Sequence, residues 1–119
     1  MKLGRKITSG KYHARRKKKL YERTNPQKAV ILGETKRKII RVRGGNIKTI
    51  LLRTNIANIL ANNKIQKAKI ENVVETPQNR FLARQNRLLK SAVIQTSLGK
   101  ARITNRPSQE GMVNAIIIE

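Results

Sequence analysis

Ile39-Ile40-Arg41-Val42-Arg43-Gly44-Gly45-Asn46-Ile47-Lys48-Thr49-Ile50-Leu51-Leu52-Arg53-Thr54 reads as two strands joined by a tight turn. Aliphatic and β-branched residues dominate both flanks, a composition that suits a pleated and partly buried surface. Gly44, Gly45 and Asn46 supply the positive φ that a short hairpin connection requires. Strands are therefore predicted over residues 39–43 and 47–54.

The same short-strand rhythm continues toward the C-terminus. An apolar run occupies residues 56–61, and residues 67–75 alternate. There Ala68, Ile70 and Val74 are predicted to face one way, and Lys67, Lys69, Glu71 and Glu75 the other. Thr76 suits an N-cap and Pro77 a first helical residue, so one helix is expected from there to about Arg87. Its Phe81, Leu82, Leu88 and Leu89 are assigned to the core, with Arg80, Arg84 and Arg87 forming one stripe. Strands over residues 91–97, 100–106 and 112–118 close the chain, joined across Leu98-Gly99 and across residues 107–111. Several short strands with one short helix predict a mostly-β body, a small barrel or sandwich, spanning residues 39–119.

Upstream the composition changes. Residues 1–38 read as an extended basic N-terminal arm around the block Lys11-Tyr12-His13-Ala14-Arg15-Arg16-Lys17-Lys18-Lys19. Thr8-Ser9-Gly10 and Asn25-Pro26 are turn punctuation. Alone, this segment buries too little apolar surface to offset its conformational entropy, so it is expected to order only on binding. Val30-Ile31-Leu32 is its one apolar cluster, either an anchor to the body or a short strand.

The net charge is +22 on 119 residues, with six glutamates and no aspartate. Residues 1–48 hold 17 Lys/Arg against Glu22 and Glu34, and the remainder holds 11 against four glutamates. So large an excess repels itself unless a polyanion neutralises it, which makes nucleic acid the first partner to consider. Other classes find little support. There is no cysteine, hence no disulfide, thiolate metal site or cysteine nucleophile. General acid–base work would fall to His13 or to Glu71 and Glu75, and those glutamates share a face with Lys67 and Lys69. No enzyme activity, metal or cofactor is expected. No apolar run reaches the roughly 18 residues needed to cross a bilayer, and the basic N-terminus lacks both a secretory core and a membrane-facing apolar side.

Three constellations point to nucleic acid. The first is Arg5, Lys6, Lys11, Arg15, Arg16, Lys17, Lys18 and Lys19, with His13 as a phosphate or base contact. Each cation displaces about one condensed counterion, which gives steep salt dependence; the alternative is a solubilising tail. The second is Arg41, Arg43, Gly44, Gly45, Asn46 and Lys48, where a turn of little bulk lets a sugar–phosphate chain approach. Its alternative is a hairpin with solvated arginines. The third is the helical stripe of Arg80, Arg84 and Arg87, a phosphate rail or an ordinary exposed face. No helix-turn-helix, basic zipper or zinc-finger pattern occurs. Tyr12, Tyr21 and Phe81 are the only aromatics, too few for a two-ring platform that reads single strands. The pattern is that of a shape-and-phosphate binder of folded RNA.

Several stretches together resemble small-subunit ribosomal protein eight of the archaeal and eukaryotic type. They are Lys6-Ile7-Thr8-Ser9-Gly10, Arg15 to Glu22, and Val42-Arg43-Gly44-Gly45-Asn46-Ile47-Lys48. Val73-Val74-Glu75-Thr76-Pro77-Gln78-Asn79-Arg80 and Leu98-Gly99-Lys100-Ala101-Arg102-Ile103-Thr104-Asn105-Arg106-Pro107 complete the likeness. Ser9, Leu20, Arg23-Thr24 and Asn55 depart from the family pattern. The resemblance implies a β-barrel-like body with a basic extension, embedded in ribosomal RNA and without catalytic activity. Contacts would carry over to the basic block and to Arg41, Arg43, Gly44, Gly45, Asn46 and Lys48, with Arg106 a further candidate. Expected partners are small-subunit ribosomal RNA and neighbouring ribosomal proteins, in the cytoplasm, with no membrane, small-molecule substrate or homo-oligomer. An assembly factor on the same domain, or a general basic nucleic-acid binder, is the alternative.

Overall fold

The computed structural model describes residues 4–13, 16–24, 26–61 and 64–118. β1 (Ile31–Leu32), β2 (Lys36–Arg41) and β3 (Ile47–Thr54) form a three-stranded sheet with β3 in the centre, parallel to β1 and antiparallel to β2. β4 (Ile56–Ala61) and β5 (Lys64–Glu75) follow, then the helix α1 (Arg80–Arg84). β6 (Val93–Thr96), β7 (Gly99–Ile103), the single helical turn α2 (Pro107–Glu110) and β8 (Asn114–Ile117) complete the chain. β4 to β8 close into a five-stranded barrel whose neighbours are antiparallel, except for the parallel β4–β8 seam.

The barrel interior is aliphatic. Ile59, Ile70, Ile94 and Ile103 fill it, and Ala57, Ala68, Ala101 and Ala115 keep it narrow enough to pack without a channel. The three-stranded sheet is continuous with this core through Leu51 and Val30. Buried hydroxyls are satisfied at the corners. Thr54 accepts from the Ile56 amide (3.2 Å) between β3 and β4, and Thr96 donates to the Gly99 carbonyl (2.7 Å) in the β6–β7 turn.

Val30-Ile31-Leu32 proves to be both anchor and strand. Val30 is buried, β1 pairs with β3, and the Leu88 amide donates to the Val30 carbonyl at 2.9 Å. β2 starts at Lys36 and ends at Arg41, earlier at both ends than residues 39–43, because the turn itself takes up Arg43–Gly45. Gly44 and Gly45 have φ of 74° and 77°, as a tight reversal needs, whereas Asn46 has a φ of −68°. The Val42 amide donates to the Asn46 carbonyl (2.8 Å) and shuts the loop.

Three sequence expectations are corrected. The helix is five residues long and not the run from Pro77 to Arg87. Asn79 caps it, accepting from the Phe81 amide at 2.9 Å, while the Thr76 hydroxyl donates to the Asn79 carbonyl within the preceding turn. It ends because Asn86 turns into the left-handed region (φ 50°) and Arg87 pairs with Ile31. Phe81, assigned to the core, is 55% exposed, since the shortened helix seats Ala83 on the barrel instead. On β5 the register shifts between Ile70 and Asn72, so Val73 faces the core and Val74 faces solvent. That bulge reverses the alternation expected past Ile70.

The radius of gyration is 20.8 Å and the longest extent 70 Å. A compact chain of this length would have a radius of about 13.5 Å. The difference reflects the N-terminal residues, which are exposed along nearly their whole described length.

Candidate nucleic-acid interface

The basic N-terminal residues form local turns of their own. Arg5 and Lys11 pair across a reversal at residues 6–10, held by the Lys6 amide donating to the Gly10 carbonyl (2.9 Å). Glu22, the acid nearest the block, accepts a forked hydrogen bond from the Arg16 guanidinium (2.8 and 2.5 Å) and another from the Lys19 amide (3.0 Å). The Arg16 partner foremost, and the Lys19 amide next, hold the Glu22 carboxyl below the usual carboxylate range. Arg16 is raised by the same pairing. Lys17, Lys18 and His13 are exposed, and Lys19 stands 6.0 Å from the Tyr21 ring. Arg15 lies outside the described residues. Among the described residues of 5–23, the side-chain hydrogen bonds all stay within that segment.

The hairpin residues converge with parts of the chain far away in sequence. An open groove of about 610 Å³ is lined by Lys28, Arg41, Arg43 and Lys48, with Ile40, Val42 and Ile50 behind them. Beyond the α2 residues Ser108 and Gln109 a second groove, of about 490 Å³, is lined by Lys28, Arg87, Lys90 and Arg106. Among the described residues, seven cations therefore line two grooves that share Gln27, Lys28, Ser108 and Gln109, and no glutamate lines either. Lys48 is half-buried and its ammonium donates to the Gln109 carboxamide, which fixes it against α2. A methyl group added at Gly45 would meet nothing within 4 Å, so the turn stands open to solvent.

Glu110 lies just behind this wall. Its carboxylate accepts from the Asn105 amide (3.0 Å) and the Arg106 backbone amide (3.2 Å), which together lower its pKa; Lys90 and Arg106 add smaller attractive contributions. Among the described residues the only ion pair is Arg16–Glu22, so no groove cation is in direct ion-pair contact with a carboxylate there, Glu110 acting on Lys90 and Arg106 only at longer range.

The structure thus brings Arg41, Arg43, Lys48 and Arg106 into one cleft system, whereas none of the described residues of the basic N-terminal block lines it. Sequence reasoning missed Lys28 and Lys90, and placed Arg87 on a helical stripe. No local pattern marks these three. They meet only because β1 and the segment after α1 pair through Ile31 and Arg87.

Fold and clefts together define a small, strongly cationic β-barrel protein with an extended basic N-terminus and positively lined grooves. The model of the family described as ribosomal protein S8e matches residues 1–118. The small ribosomal subunit protein eS8 of Methanocorpusculum labreanum is 45% identical over 117 residues, covering 97% of this chain and 94% of that protein. Its namesake in Methanococcus aeolicus is 45% identical over 118 residues (96% and 91%), and that of Nanoarchaeum equitans 42% over 117 (96% and 92%). The chain belongs to the ribosomal protein S8e family.

Proposed function

We propose that this protein is a structural constituent of the small ribosomal subunit, holding folded ribosomal RNA through its basic N-terminus and the hairpin cleft. It performs no catalysis in this reading and resides with the ribosome in the cytoplasm. The observation that carries it is the cleft itself, where seven cations from four separate segments converge without a lining carboxylate. Such a surface suits a phosphate backbone, which positions a protein by charge and shape. The names and near-full-length match of the relatives support the ribosomal assignment over a free nucleic-acid binder.

The hairpin turn would approach the sugar–phosphate chain closely, since Gly44 and Gly45 put no side chain in the way. Arg41 and Arg43 would flank that approach, and Arg106 would meet phosphates on the far side of α2. The N-terminal block would run along further phosphates, adding affinity without sequence preference. Titration of the purified chain against small-subunit ribosomal RNA and against duplex DNA at matched salt tests the reading. Tighter binding to the RNA is expected; duplex DNA bound as tightly would contradict it.

A further inference from the structure

Aromatic side chains ordinarily supply large buried area to a core. Here none does. Tyr12, Tyr21 and Phe81 are 53%, 68% and 55% exposed, and each has a cation near its ring. Lys6 lies 5.6 Å from the Tyr12 centroid and Lys19 6.0 Å from Tyr21; Arg80 and Arg84 lie 5.8 and 5.7 Å from Phe81. Phe81 differs from the tyrosines in being carried by the folded body. The Asn79 cap fixes the start of α1, and the Gln78 amide donates to the Lys90 carbonyl (2.7 Å), tethering the turn before it. Among the described residues no carboxylate pairs with Arg80 or Arg84.

We propose that the Arg80–Phe81–Arg84 face of α1 is a stacking site for one unpaired nucleobase of an RNA, with the two arginines holding the phosphates on either side of it. The inference rests on the RNA-binding reading and adds to it a second mode of contact, at side chains that line neither groove although Leu82 of the same helix lines the second. A flat apolar ring matches the π-face of any base, and base–aromatic stacking is tolerant of sequence. Guanidinium groups beside the ring favour a ligand that carries negative charge within one nucleotide of the base. An apolar protein partner would explain the exposed phenylalanine but not the two guanidiniums within 6 Å of its ring centroid, whereas a nucleotide supplies a π-face and phosphates together. The scarcity of aromatics in the sequence argued against a two-ring platform; a single rigid ring accommodates a single extruded base.

The chain has no tryptophan, so Phe81→Trp in the 119-residue chain introduces a lone tryptophan at the site. Two probes serve, a 12-nucleotide oligoadenylate and a 12-base-pair RNA duplex. The expected result is strong quenching of the tryptophan by oligoadenylate and little by the duplex at equal saturation. Phe81→Ala should weaken oligoadenylate binding roughly five- to 150-fold, leaving duplex affinity and both salt slopes unchanged. Arg80→Gln with Arg84→Gln should instead lower the oligoadenylate salt slope by about one to two. Equal quenching by both RNAs, quenching by neither, or an alanine variant that loses affinity for both alike would overturn the proposal. Quenching by neither while both RNAs bind would leave RNA binding intact and assign the ring to a protein partner. Failure of both RNAs to bind at low salt would remove the RNA-binding reading as well.

Discussion

Gly111 and Gly45 share nearly the same backbone twist, φ 76° and 77°, and differ in what a methyl group would touch. At Gly45 nothing lies within 4 Å; at Gly111, the left-handed cap of α2, the Thr49 carbonyl oxygen stands at 3.4 Å. Gly45→Ala should therefore destabilise the fold by about 1 kcal/mol through the backbone alone. Gly111→Ala should cost more, about 2 kcal/mol, because the added methyl also meets the Thr49 carbonyl at the tight edge of van der Waals contact and leaves α2 little slack on β3. Urea midpoints followed by circular dichroism check this, and equal losses would contradict the packing described. Glu22 and Glu110 give a second test at this scale. Both carboxyls are depressed in the folded chain, so whatever they contribute is present above the ordinary carboxylate pKa and lost as pH falls through the lower folded value. Carboxyl titration by NMR should show both midpoints below the usual range of about 4.3. Glu22→Gln should return Glu22's contacts to solvent, free Arg16 and steepen the salt dependence of RNA binding. The glycine pair was legible in the sequence because only positive φ explains Gly44-Gly45 between two strands. The acid partners were not, since each depends on a turn with no marked pattern.

Among the elements, β3 and β4 were legible to the residue, because the glycine turn fixes the start of β3 and the Thr54 corner fixes where it gives way to β4. β5 was legible as a strand but not in its facing. Its bulge lies between Ile70 and Asn72, where the Asn72 side chain accepts from the Val73 amide (2.9 Å). No periodicity records an inserted residue, and two adjacent valines offer the core equally well on paper. The structure separates them. Val73→Ala should cost about 2 kcal/mol in thermal or urea unfolding, from lost burial and the cavity left behind. Val74→Ala should stay within about 0.5 kcal/mol of the parent. The reverse order would restore the unbulged register. The helix was read too long for a similar reason. Leu82, Leu88 and Leu89 fit helical spacing, yet Arg87 and Leu88 are drawn off to pair with the strand before β2.

At the scale of the whole molecule, the proposed function assigns separate parts to the basic N-terminus and to the barrel. The sequence showed the division of charge but not the closure of the barrel, since the parallel β4–β8 seam joins segments more than fifty residues apart. Residues 30–38 were read with the arm, and Val30-Ile31-Leu32 as an anchor or a short strand; what was not legible is that β2 already begins at Lys36, within that span. Deleting residues 1–22 should leave the barrel's unfolding midpoint nearly unchanged. It should also reduce the slope of log affinity against log salt by about four or more, as its phosphate contacts are lost. A melted barrel or an unaltered slope would contradict that division. Arg41→Gln with Arg43→Gln should lower the slope by only about one to two, because the pair removes only two of the cations proposed to meet phosphates.

The central claim is permanent membership of the small subunit, and gradient sedimentation of native extract with quantitative detection of this chain tests it most directly. The account predicts the chain in stoichiometric amount with mature small subunits and with translating ribosomes, resisting washes at moderate salt. Recovery mainly at the top of the gradient, or only with immature precursor particles, would contradict it.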